Sequence, residues 1–156
     1  MNILISRCLL GFPCRYDGKA FKKESLNELI NTYKNVHNFI AVCPEVESGM
    51  EVPRLPCEIV NDKVLNTAGE DKTEFFNKGA RIACNKAKAN NIKLAILKSD
   101  SPSCGVNFIY DGSFTNKIVE GSGITVRELT KLGVLVVTEN DLDLIHDFLK
   151  SDLTIE

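Results

Sequence analysis

Four short apolar runs, NILIS at 2–6, FIAV at 39–42, LAIL at 94–97 and VLVV at 134–137, limit what this chain can fold into more than any other feature. Each is too short for a stable helix and lacks a polar alternation, the signature of a strand covered on both faces. Helical periodicity lies between them. Ser25 with Glu28 reads as a capping box, followed by Leu26, Leu29, Ile30 and Tyr33 at helical spacing. Asp71 with Glu74 opens a stronger helix, carried by Phe75, Ile82, Ala83 and Ala87 and fading at Asn90-Asn91. Gly121-Ser122-Gly123 leads into a helix over Ile124 to Leu132, ended by Gly133, and Asn140 caps a last helix bearing Leu142, Ile145 and Leu149. Residues 44–70 hold three of the five prolines and read as mostly irregular. After Leu97 comes a loop-like stretch of about twenty residues, longer than a plain connection needs and so expected to be functional.

Strands alternating with helices predict an α/β fold, a mainly parallel Rossmann-like sheet flanked by helices. At 156 residues, with neither repeats nor a linker, one compact domain over 1–156 is expected. The charge is nearly balanced, 19 Lys and Arg against 21 Asp and Glu. No basic block stands out, which argues against nucleic-acid or membrane partners. The opening MNILIS lacks the pattern of a signal peptide, and no run approaches the ~18 apolar residues of a membrane span. The expected setting is the cytoplasm.

That setting decides how six cysteines are read. In a reducing compartment they are buried, catalytic or metal-bound more often than paired. Cys8 lies just past the first strand in SRCLLGFPCRYDG, Cys43 closes the second in AVCPEVESG, and Cys104 follows the third in LKSDSPSCG. In a parallel sheet all three fall at the carboxyl edge, where open α/β folds bind ligands. The small residues of SDSPSCG suit a backbone that approaches something closely. Cys14 follows Cys8 closely enough to share its loop. Cys84, on the strong helix, reads as a small buried hydrophobe; Cys57, in PRLPCEI, suits either role, with the structural one preferred.

Several chemistries fail on spacing. There is no C-x-x-C pair. Cys8 and Arg15 are separated by six residues, one too many for a thiolate phosphatase loop. His37 and His146 sit at a helix end and on a helix surface, so a metal-free cysteine hydrolase lacks its base. GSG at 121–123 is too short for a dinucleotide fingerprint. Three thiolates without histidine partners suit a soft metal site, and three on an iron–sulfur cluster would leave one metal open, as catalytic zinc sites do. Spacing does not choose the metal, and a non-catalytic zinc or cluster domain is the competing reading.

CLLGFPCRYDG, CPEVESGMEVPRLPCEI, SPSCG and IYDGSFTN occur in an order and spacing that resembles a family long catalogued as a domain of unknown function, which includes thiouracil desulfidase. The resemblance covers nearly the whole chain. It departs at Arg7, where a smaller residue is usual, and at Gly49-Met50, where Gly-Gly or Gly-Leu is preferred. The resemblance implies a [4Fe-4S] cluster on Cys8, Cys43 and Cys104, with Cys14 a possible additional ligand, and non-redox removal of sulfur from a small thiolated pyrimidine base or nucleoside. It implies Glu45 as the base that activates water and Ser101, ahead of Ser103, as a hydroxyl acting on the ring. Arg15, Asp17, Arg54 and Glu58 would shape the pocket or brace two loops by ion pairing.

Overall fold

Ile3, Leu4 and Ile5 are all fully buried. Consecutive strand residues point to opposite faces, so this demands a layer of structure on each side of the sheet. A computed structural model describes residues 1–21 and 23–154. In chain order the elements are β1 (Asn2–Ser6), a 3-10 turn (Arg7–Leu10), α1 (Glu24–Tyr33), β2 (Asn38–Val42), α2 (Pro44–Glu47), β3 (Cys57–Val60), β4 (Lys63–Asn66), α3 (Thr73–Ala89), β5 (Leu94–Leu97), β6 (Phe108–Tyr110), β7 (Ile118–Glu120), α4 (Ile124–Lys131), β8 (Leu135–Thr138) and α5 (Leu142–Thr154).

The four apolar runs form one parallel sheet in the order β2-β1-β5-β8. Ile3 pairs with Phe39 on one side and Leu94 on the other. Ile3, Ile5, Leu94 and Ile96 pack with Leu26, Tyr33, Ile145 and Leu149 of α1 and α5. Leu4, Ala95 and Leu97 face the other way, onto Ala83 and Ala87 of α3 and Val126 and Leu129 of α4. Each fully buried Leu or Ile contributes about 1.5–3 kcal/mol relative to exposure. The chain leaves β1 towards β2 but leaves β5 towards β8, on the opposite side. The carboxyl ends of β1 and β5 therefore flank a crevice at the topological switch point.

The sheet and its flanking helices match the expectation; several local signals do not. Helix α1 starts at Glu24 with Lys23 ahead of it, and no side chain caps it. Ser25 lies inside the helix, because the buried stripe from Leu26 to Tyr33 sets the start and overrides the local cap signal. Asn140 does not cap α5. Asp141 stands immediately before that helix, its carboxylate accepting the Thr138 amide at 2.8 Å, while Asn140 Oδ1 accepts Lys23 Nζ. On α3 the buried aromatic is Phe76, with Phe75 36% exposed. Asp71 serves that helix start by accepting the Thr73 amide at 2.9 Å.

The stretch read as irregular contains α2 and the antiparallel hairpin β3-β4. Its turn places Asn61 and Asp62 at φ 47° and 67°, a conformation that Asn and Asp tolerate without glycine. The segment after Leu97 carries a second small hairpin, β6-β7. Gly133, at φ 83°, ends α4 as expected: its amide bonds Thr130 O and the Val134 amide bonds Leu129 O, a Schellman pair. Among the described residues no helix is long and apolar enough to cross a membrane.

Candidate active site

Three strands end at the crevice, and each delivers a cysteine within a few residues. After β1 the 3-10 turn closes on Gly11 at φ 99° and buries Cys8. After β2, Cys43 takes the extended conformation of a helix N-cap, with Pro44 at the first helical position. After β5 the chain turns through Asp100, at φ 69°, into Ser101-Pro102-Ser103-Cys104. The carbonyls of this last loop receive the amides that open α4: Ile124 N bonds Pro102 O at 2.9 Å and Thr125 N bonds Ser103 O at 3.0 Å. That is why α4 has no side-chain cap.

Close packing behind the loops needs glycine. A Cβ on Gly79 of α3 would lie 2.4 Å from Pro44 O, and one on Gly123 would lie 2.4 Å from Ser103 O. Both helices thus press backbone to backbone against the segments that carry Cys43 and Cys104.

The loops enclose a cavity of about 260 Å³. Cys8, Cys14, Cys43, Cys57 and Cys104 line it, each no more than 9% exposed. Burial pushes the Cys104 thiol up to about 12. The contact with Cys14, together with burial, drives Cys43 far above the ordinary thiol range. Cys43 lowers Cys14 in turn, but the contact with Cys8 and burial outweigh this and leave Cys14 at about 11. Among the described residues no three His, Cys, Asp or Glu side chains converge tightly enough to hold one metal ion. Five thiols and no histidine line the cavity, the soft donor set that an iron–sulfur cluster takes.

Glu45 faces the same cavity from α2. Its Oε1 pairs with Arg54 at 3.5 Å, and its Oε2 accepts the Ser103 hydroxyl at 3.2 Å. Ser101 Oγ lies 3.2 Å from Ser103 Oγ and accepts the Cys104 amide at 2.7 Å. With the Ser103 proton directed to Glu45, Ser101 is the donor to Ser103, and a directed chain runs from Ser101 to the carboxylate. Ser101 lines the cavity, while Ser103 is fully buried behind it, 3.5 Å from Cys104 Sγ.

Arg54 also joins the first two loops. Its amide bonds Tyr16 O at 2.8 Å and its guanidinium donates to Cys14 O at 3.2 Å. The expected bracing thus takes a different form. Arg54 pairs with Glu45, whereas Glu58 accepts the Gly112 and Phe114 amides and so holds the 111–117 loop, whose Phe114 and Asn116 line the cavity. Arg15 lines the cavity, with its guanidinium near the Tyr16 and Phe21 rings. Asp17 instead accepts the Lys19 amide in an exposed turn.

Every predicted ligand and catalytic position therefore lines one cavity: Cys8, Cys14, Cys43, Cys104, Glu45 and Ser101. Cys57, for which the sequence leaves both roles open, lines it too, with burial and then the Glu45 charge raising its thiol to about 11. The hairpin that carries Cys57 gives no clear sequence signal. Cys84 is partly buried in the core on α3, as expected. His37 is buried between the N-terminal amine and Leu149 O, and His146 meets Tyr33; neither lines the cavity. Of the two departures from the family pattern, Arg7 lines the cavity, whereas Met50 packs in the satellite core of Cys57, Val64 and Phe76.

The chain is 38% identical over 151 residues to "Uncharacterized protein YbbK" of Bacillus subtilis (strain 168), a match that covers 90% of this chain and 97% of that protein. Its structure is similar to that of the [4Fe-4S]-dependent thiouracil desulfidase TudS, with a TM-score of 0.84, 34% identity and 99% of each chain covered. The 2-thiouracil desulfurase family model matches residues 3–141, so the chain belongs to the 2-thiouracil desulfurase family.

Proposed function

We propose that this protein removes sulfur from a thiolated pyrimidine base or nucleoside, using a [4Fe-4S] cluster held by Cys8, Cys43 and Cys104. Water replaces the sulfur: the C=S carbon becomes C=O, sulfide leaves, and no electrons are exchanged. The observation that carries this reading is the convergence of buried thiols from three strand-end loops on a carboxylate already linked to two serines.

The cluster, when bound, supplies a soft Lewis acid that polarises the C=S bond. The protein's own groups do the rest. Glu45 takes the proton of the attacking water, a role typically worth about 10²–10⁴-fold in rate. Arg54 and Ser103 each hold one of its oxygens, so the carboxylate keeps a fixed orientation. Ser101, on the cavity side of the chain, hydrogen-bonds the ring, and Ser103 links it to Glu45, which gives protons a path between base and substrate. Tyr16, Tyr110 and Phe114 line the same cavity and offer flat surfaces to a planar ring. Six free cysteines accord with a reducing, cytoplasmic setting.

The test is anaerobic reconstitution with iron and sulfide, followed by incubation with 2-thiouracil and 4-thiouracil. Loss of the thione absorption with equimolar sulfide release is expected for at least one base. An iron-loaded protein that frees no sulfide from either base would overturn the proposal.

A further inference from the structure

Helix α2 carries a second carboxylate, Glu47, that the reaction above does not use. It does not line the cavity; it reaches back over the loops that do. Its Oε2 accepts the Cys43 amide at 2.8 Å. Its Oε1 pairs with Arg7 at 3.5 Å and with Lys86 of α3. Lys86 also donates to Ala41 O at 3.0 Å, at the end of β2. All three side chains are less than 30% exposed, so water screens them only partly.

One carboxylate thus meets the residue beside Cys8, the amide of Cys43 and, through Lys86, the helix packed against Pro44. Gly79 of that helix abuts Pro44, so α3 provides a rigid backing for the arrangement. Building on the cluster reading above, we infer that Glu47 is a positioning residue for the cluster: it sets the separation of Cys8 and Cys43 through Arg7 and the Cys43 amide, and balances the positive charge of Arg7 and Lys86 beside them. Outer-shell groups of this kind orient ligands and tune metal centres, and local charge and hydrogen bonding move the potential of iron–sulfur clusters. The side chain at position 7, the departure from the family pattern noted above, is one half of this device.

The experiment compares the full chain with its Glu47→Ala, Glu47→Gln and Arg7→Ala variants after identical anaerobic reconstitution. Glu128→Gln, which breaks an exposed pair with Lys131, is the control for a remote charge change. Two readouts are used, the rate of iron loss to a chelator and the reduction potential of the cluster. Glu47→Ala loses the amide acceptor and the charge, and its iron loss should accelerate about tenfold or more. Glu47→Gln keeps an acceptor for Cys43 and should fall between. Its potential should rise, because two cations are left unbalanced, whereas Arg7→Ala should lower it. A role confined to folding would move stability but not displace the potential in opposite directions. If Glu47→Ala fails to fold, the near-isosteric Glu47→Gln and Arg7→Ala decide the matter. Wild-type iron retention and potential in those two variants would refute the positioning role while leaving the cluster reading intact. A wild-type chain that takes up no iron would refute both.

Discussion

Ser103 donates its hydroxyl to Glu45 Oε2 across 3.2 Å, although the two residues lie 58 positions apart and belong to different strand-end loops. The bond forms only when the loops after β2 and β5 are both seated. Ser103 is fully buried and Glu45 is salt-bridged to Arg54, so the hydroxyl and the carboxylate orient each other.

This bond separates chemistry from assembly. Glu45→Gln should take up iron, bind the thiolated base and turn it over at least about 10²-fold more slowly, as expected for loss of a general base. Ser101→Ala removes the hydroxyl on the cavity side and the acceptor of the Cys104 amide, so both turnover and iron retention should fall. Single-turnover rates per bound cluster, measured beside iron content, distinguish the two outcomes. Undiminished turnover in Glu45→Gln would assign the base to another group.

Ligation should follow the geometry of the cavity. Alanine at Cys8, Cys43 or Cys104 should abolish most iron incorporation. Alanine at Cys84, on the core face of α3, should leave iron unchanged and cost about 1 kcal/mol of packing. Cys14→Ala tests the thiol that contacts Cys8 and Cys43. If three ligands suffice, it should retain a full complement of iron and sulfide. Full iron in Cys104→Ala would end the assignment.

The tight approach at Gly123 gives a prediction that no side-chain chemistry confounds. Gly123→Ala forces a Cβ to 2.4 Å from Ser103 O, so the Cys104 loop must shift, at about 1–3 kcal/mol. Gly133→Ala at the other end of α4 is strained by its φ of 83° yet meets nothing among the described residues within 4 Å. Both variants should melt at lower temperature, but only Gly123→Ala should lose iron. Thermal unfolding combined with iron analysis checks the contrast.

Raised thiol pKa values make the iron-free protein sensitive to alkali. The stability they contribute is fully present below the ordinary thiol value of 9.0 and is lost as pH rises through about 11 for Cys14 and Cys57 and about 12 for Cys104. In that window the unfolded chain releases protons that the folded chain retains, which favours unfolding. The melting temperature of the iron-free protein should therefore drop above about pH 9. The loaded protein should drop less, because ligation has already removed protons from its ligating thiols. Parallel slopes would show that these thiols do not govern the alkaline limb.

The parallel sheet was legible in the sequence because Ile3-Leu4-Ile5 and Leu94-Ala95-Ile96-Leu97 are apolar at every position, and only a strand covered on both faces uses such a run. Topology then follows from short connections, and with it the convergence of Cys8, Cys43 and Cys104 on one edge. The β3-β4 hairpin was not legible: its turn uses Asn61 and Asp62 in left-handed conformations that their sequence does not announce, and the place of Cys57 in the cavity wall went unread with it. Helix starts at Glu24 and Leu142 also went against local signals, since burial of one face outweighs a cap worth about 1 kcal/mol. The partners of the charged groups were decided by tertiary structure alone. Glu45 meets Arg54 and Ser103, Glu58 holds the Gly112 and Phe114 amides, and Glu47 meets Arg7, Lys86 and the Cys43 amide. Periodicity specifies which face a residue occupies, but a long charged side chain finds its partner by reach and angle across loops, and those exist only once the loops have closed around the cavity.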